Sequence, residues 1–326
     1  MTSKGTAAGL VDWRTVERLT ALIPAGPSAS RSARASSVAV LRRSALEAPA
    51  WVARITGLNR AAQQVAETTR VSVVDRAGLV RVSTRALRGL MEQVPAPQAS
   101  EAVRLVGAAE MAGAMSLLAT RLLGQVVPAA GTGADGDVGR EGEASPHLLL
   151  VAPNVLAMRR QLDLDMLDLP AWVCLHEMTH AVQLAAAPWL GPYLSDSMRM
   201  VIGAVVEAVY GGPGGGADGT GEQGLRRRPG RAARIAARAG RGRVLEGLTN
   251  FKERSEVASL AAALTFLEGH AEVVLDDVHP NRMPSVHRLR AVLSRSRAAD
   301  AGIGPGPGLG SLLLHRLMGL EAKEAQ

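Results

Sequence analysis

Aromatic residues are nearly absent from this chain: two Phe, two Tyr and four Trp stand among 326 residues. With 47% hydrophobic residues a core can form, but it must be built mostly from Ala, Leu and Val. That favours helices packed through small residues over a large sheet, because strands draw on β-branched and aromatic side chains. Cysteine is also scarce. Cys174 is the single one, which excludes an intramolecular disulfide and fits a reducing cytoplasm, the expected location. No uninterrupted run of 18 apolar residues occurs. The best stretch, Val201 to Tyr210, is short and contains Glu207, so no membrane span is expected. Met1 to Trp13 lacks the apolar run of a signal peptide. Acid is in deficit, 30 Asp and Glu against 37 Lys and Arg. A basic balance permits contact with nucleic acid or acidic membranes without demonstrating either. The arginines of 226–243 have no aromatic residue among them on which a base could stack, so they read as a biased insert, and nucleic acid is not an expected partner.

What is present is mostly helical patterning. Residues 10–24 carry Val16, Leu19 and Ile23 on one face after the plausible N-cap Asp12. Residues 25–37 read as a loop or the start of a helix that runs through 38–46. Helical spacing recurs at 79–94, 99–123, 155–161, 171–186, 253–277, 285–299 and 311–320. Two short runs are strand-like, Val71–Val74 and His147–Ala152. The expected organisation is an N-terminal, mostly helical region at 10–128, a flexible loop at 129–146, and a metal-binding region at 147–326. The last is interrupted by a disordered Gly/Arg-rich insert at 211–243, and the whole forms one compact unit.

The chemistry lies in His176-Glu177-Met178-Thr179-His180, an H-E-x-x-H pattern. On a helix, residues i and i+4 share a face, so both imidazoles can reach one ion. Glu177, beside the first ligand, can take a proton from water that zinc has acidified to a pKa of about 7. With seven His in the chain the pattern arises by chance in roughly one such sequence in a hundred. Its setting in the apolar run Ala171 to Val182, after a strand-like segment, adds weight, because such a strand can lie at a sheet edge beside the helix and pair with an extended substrate.

A catalytic zinc ion takes a third protein ligand and keeps a fourth position open. The segment Leu267-Glu268-Gly269-His270-Ala271-Glu272 supplies it. Glu268, Glu272 and Asp276 recur at i, i+4 and i+8 on one helix face. Glu268 is read as the ligand, with His270 as the rival, and Glu272 or Asp276 as acceptor for the other ring N–H of a ligand His. Tyr193, Tyr210, His279 and His287 are candidates to stabilise an oxyanion. Cys174 and Thr179 read as packing residues.

These residues also resemble a family. WVCLHEMTHAVQ, PWLGPYL and LEGHAEVVLD, with VDW at Val11–Trp13, VVDRAGLVRV at Val73–Val82, LLGQ at Leu122–Gln125 and VAPN at Val151–Asn154, are similar to the zincin-like metallopeptidase type 2 family of actinobacteria. That family includes a branch described as associated with biosynthesis of coenzyme F-420. The resemblance implies a mainly α-helical zincin-like fold, with a small β element (an edge strand around 147–152) beside the H-E-x-x-H helix. It also implies hydrolase activity, with His176, Glu177, His180 and Glu268 carrying the family motifs. Departures are Leu79 in place of Trp and the absence of Tyr-Asp after LLGQ. The final residues MGLEAKEAQ look like the start of a family helix that elsewhere continues, which makes the C-terminus short relative to the family.

The function expected is a zinc-dependent metallohydrolase, in particular a metallopeptidase, holding one Zn²⁺ and acting on a peptide or amide substrate. The rival is a non-catalytic zincin-like protein with a structural zinc and a protein-interaction role.

Overall fold

The structure is a computed structural model that describes residues 5–127, 146–210 and 251–299. The insert at 211–243, nearly all of the loop at 129–146 and the helix at 311–320 lie outside the described residues, as does the family-like C-terminus. In chain order the elements are β1 (Gly5–Thr6), a 3-10 turn (Ala7–Leu10), α1 (Trp13–Thr20), α2 (Arg31–Thr56), α3 (Asn59–Thr68), β2 (Arg70–Val74), α4 (Arg76–Glu92), β3 (Pro95–Ala96), α5 (Glu101–Arg121), β4 (Gly124–Val127), β5 (His147–Val151), α6 (Ala152–Gln161), α7 (Asp168–Ala186), α8 (Leu190–Tyr210), α9 (Phe251–Asp276) and α10 (Val286–Ala299). The mainly α character with a small β element is as the sequence predicts. Asp12 does cap α1, its carboxylate accepting from Thr15 N–H at 2.9 Å. The second helix begins earlier than its apolar spacing suggests, where the Ser30 hydroxyl accepts from Ala33 N–H.

One expectation is corrected. The segment 147–151 does form a strand, but it is the middle one of three rather than an edge. β5 pairs with β2 in parallel and with β4 in antiparallel register, Gly124 opposite Leu150 and Val127 opposite His147. The physical reason is visible in its side chains. Leu148, Leu149, Leu150 and Val151 are all fully buried, which requires cover on both faces. Leu148 and Leu150 join the core made with α2, α3 and α7; Leu149 and Val151 join Leu79, Met115 and Leu118 of α4 and α5. The edge nearer α7 is therefore β4.

The central helix is α7. Leu169, Trp172, Val173, Cys174, Leu175, Met178, Ala181 and Val182 are buried around its circumference, the pattern of a helix surrounded by other elements. The small residues Ala45 and Ala48 on α2 let the two helices approach closely, and Cys174 Sγ lies 3.5 Å from Leu41 O. α5 and the Ser255–Asp276 part of α9 are long and apolar enough for a bilayer span by length and composition. Counting only uninterrupted apolar residues passes over both. α5 contributes Ala108, Ala112, Met115, Leu118 and Ala119 to the interior, and α9 contributes Val257, Leu260, Ala271, Val274 and Leu275.

Three polar links hold the pieces in place. Buried Asn154 donates to Ala119 O at 2.8 Å and to Leu122 O at 2.7 Å, closing the end of α5 just before β4 begins. Its side-chain oxygen accepts from Arg76 Nε, whose guanidinium also donates to Pro24 O. Asp168, at the start of α7, accepts from both Ser285 N–H and Ser285 Oγ, tying α7 to the chain that follows α9. Arg290 of α10 donates to the carbonyls of Leu275 and Asp276 at the C-terminus of α9. Replacing Asn154 by Ala would leave two buried carbonyls unpaired, a loss of about 2 kcal/mol. The expected result is a lower denaturant midpoint with an unchanged slope; a midpoint within error of wild type would refute the role given to this amide.

Candidate metal centre

The H-E-x-x-H residues lie in the middle of α7, and Glu268 reaches them from α9. His176 Nε2 is 3.4 Å from Glu268 Oε2, and His180 Nε2 is 3.5 Å from Glu268 Oε1. The two imidazoles stand edge to face, centroids 4.9 Å apart. One donor atom from each of the three residues falls within 4.8 Å of the others. Zinc bonds of about 2.1 Å in a tetrahedron separate ligand atoms by about 3.4 Å, so the His–Glu spacings suit a shared ion. The donor atoms add a second argument. His176 Nε2 and His180 Nε2 are buried and have no hydrogen-bond partner among the described residues. Buried polar atoms are ordinarily paired, and two such imidazole nitrogens beside one carboxylate make a group that could hold a metal ion.

The electrostatics agree. Burial alone would lower the basicity of His176, but the Glu177 and Glu268 carboxylates outweigh it and push its pKa up to about 10. Burial pulls the Glu268 pKa upward, yet the imidazoles of His176 and His180 hold it well below the usual carboxylate range. Cys174 is the opposite case. Burial, then Glu177, push its pKa far above normal, so it stays a thiol and packs against α2.

Glu177 occupies a different niche. Its carboxyl is buried, with Oε1 3.8 Å from His176 Nδ1, and Oε2 has no hydrogen-bond partner among the described residues. Its methylene lies against the first residue of β4. A Cβ on Gly124 would come within 2.6 Å of Glu177 Cγ and 3.1 Å of Cδ. The register explains the contact: Gly124 pairs with Leu150, whose side chain faces α7. Gly124 is thus a site residue that spacing arguments around the H-E-x-x-H pattern do not find. The available signal is the glycine of LLGQ at Leu122–Gln125, which lies outside the two strand-like runs of the sequence.

The residues proposed to support the ligands are arranged otherwise than the sequence suggests. The acceptor facing His180 Nδ1 is Gln183 Oε1 at 2.8 Å, rather than Glu272 or Asp276. Asp276 pairs with Arg290 Nε at 3.0 Å near the end of α9, two helical turns from Glu268, and Glu272 is exposed. The rise of the helix carries each successive member of that acidic stripe away from the imidazoles. His270, the rival ligand, is not in the cluster; its Nδ1 lies 2.8 Å from Gln183 Nε2. Gln183 lies at i+3 from His180, a spacing that puts both on one face, and this was the available clue. Of the oxyanion candidates, Tyr193 packs edge-on against Trp189, His279 accepts from Asn281 N–H in a turn, and His287 is exposed on α10. The Tyr210 side chain lies outside the described residues.

Comparison with known proteins gives the family and the fold. The sequence matches the zincin-like metallopeptidase family over residues 11–326. The chain belongs to that family. Membership supports a hydrolase at the coarse level. Comparison with functionally curated proteins finds no match. Among solved structures, the fold is similar to a crystal structure from Chloroflexus aurantiacus described as a "putative hydrolase with a novel fold". The TM-score is 0.55 at 19% identity, over 95% of this chain and 81% of that one.

The Gly124–Glu177 contact makes a measurable statement. Gly124→Ala should destabilise the protein by about 1–3 kcal/mol through overpacking. Combining it with Glu177→Ala, which removes the clashing methylene, should recover most of that loss in a double-mutant cycle. Strict additivity would mean that the two positions do not meet.

Proposed function

We propose that this protein is a zinc-dependent hydrolase of peptide or amide bonds, with His176, His180 and Glu268 as metal ligands and Glu177 as general base. The observation that carries the reading is the convergence of two buried, otherwise unpartnered imidazole nitrogens on one carboxylate, with a second buried carboxylate beside them. When bound, zinc supplies Lewis acidity, which polarises a carbonyl and lets water give up a proton near neutral pH. The chain supplies the rest. Glu177 accepts the proton of the attacking water and returns it to the leaving amine. The surroundings of α7 keep Glu177 away from bulk water, and Gly124 gives it room at the start of β4. β4 has no strand partner on its outer side among the described residues, which offers an edge for an extended substrate beginning at Gly124, the residue against Glu177. A cytoplasmic setting, with the single cysteine buried and reduced, belongs to the same proposal.

Glu177→Gln separates this enzyme from a protein with a purely structural zinc. The variant should keep zinc at wild-type stoichiometry by elemental analysis and lose about 10²–10⁴-fold in hydrolysis of a peptide library. Equal inertness of wild type and variant would favour the structural role.

Metal uptake should also depend on pH in a definite direction. Below a pKa of about 10, His176 carries a proton in the metal-free protein, and a metal ion must displace it. Affinity should therefore rise with pH, by about tenfold per unit, and level off toward that pKa. Calorimetry in buffers of different ionisation enthalpy should find about one proton released per ion bound near neutral pH. A pH-independent affinity would contradict this protonation state.

A further inference from the structure

Gln183 bridges the two ligand-bearing helices, and each of its partners determines the next. Leu267 O is a carbonyl oxygen and can only accept, so the Gln183 atom 2.9 Å from it must be the amide nitrogen. That fixes the orientation of the carboxamide, an assignment that in many sites is ambiguous. The same nitrogen lies 2.8 Å from His270 Nδ1, which therefore presents a lone pair. The amide oxygen is left facing His180 Nδ1 at 2.8 Å. Because that oxygen also only accepts, His180 Nδ1 must carry the hydrogen. In a neutral imidazole the lone pair then resides on Nε2, the atom 3.5 Å from Glu268 Oε1.

We propose that Gln183 is a positioning residue that fixes His180 in its Nδ1–H tautomer and so holds Nε2 as a ready metal donor; this rests on the metal-centre reading given above. The competing tautomer would put a hydrogen on Nε2 and aim it at Glu268, an arrangement that satisfies both groups without a cation. Gln183 disfavours it, because its oxygen would then face a bare lone pair. Both α9 partners of the amide, Leu267 and His270, flank Glu268. The three bonds therefore also set where Glu268 arrives relative to His180.

The test compares wild type, Gln183→Leu and Gln183→Glu. The tautomer is read from the imidazole nitrogen NMR shifts of His180 in metal-free protein at mildly alkaline pH, and zinc affinity from competition with a chelator. Wild type should show Nδ1–H. Gln183→Leu, with no acceptor, should populate both tautomers and bind zinc about 10–100-fold more weakly. Gln183→Glu keeps an acceptor and should retain Nδ1–H, but its carboxylate cannot donate to Leu267 O or His270 Nδ1, so its affinity should fall between those of wild type and Gln183→Leu. A folded Gln183→Leu variant with wild-type tautomer and wild-type affinity overturns the proposal. Should that variant fail to fold, Nε2–H in wild type overturns it equally. Wild-type protein that shows Nδ1–H but takes up no zinc upholds tautomer control while the metal reading falls.

Discussion

Two carboxylates and two imidazoles are gathered where little water reaches, and the rest of the molecule is organised around keeping them there. A buried carboxylate costs several kcal/mol unless opposite charge or hydrogen bonds compensate it. Here the compensation is mutual. Glu268 faces both His176 and His180, and Glu177 faces the far side of His176. The balance lets α7 be apolar around its circumference and still carry a polar stripe through its centre. It also explains why two strongly perturbed groups, His176 and Glu268, sit on different helices: each is the other's counter-charge.

Such a cluster needs a frame that holds several elements to fractions of an ångström. The frame is held by fixed polar contacts at element ends around an aliphatic core, since this composition scarcely offers aromatic side chains. Asp168 secures the start of α7, Arg290 the end of α9, and Asn154 the end of α5 that delivers β4 to Glu177. Ala-rich faces then allow close helix approach, so the geometry is set by backbone proximity.

Much of this was legible in the sequence, and the remainder was hidden for identifiable reasons. The spacing of His176 and His180 is a local property of one helix, and the acidic face of α9 a local property of another, so the candidate group of His176, His180 and Glu268, with His270 as a rival, could be named without coordinates. The partners of those donors could not. Gln183 earns its place through Leu267 and His270, contacts between distant segments that no periodicity encodes. Asp276 looked equivalent to Glu268 on a helical wheel, but the wheel ignores rise along the axis, and Arg290 claims it instead. For β5, a run of leucines was readable as a strand, while its central position followed only from the unreadable fact that β2 and β4 both pair with it.

Gly124 has a significance beyond packing. Its missing side chain is the imprint of another residue's methylene, so the two positions are constrained together even though one lies on a strand and the other on a helix. Among relatives of this chain, a glycine here would be demanded only as long as the glutamate persists. A lineage that abandoned the glutamate would release the strand position to drift toward Ala, Ser or larger residues. The pair thus links strand to helix: a residue larger than glycine at 124 fits only beside a position 177 that has given up its methylene.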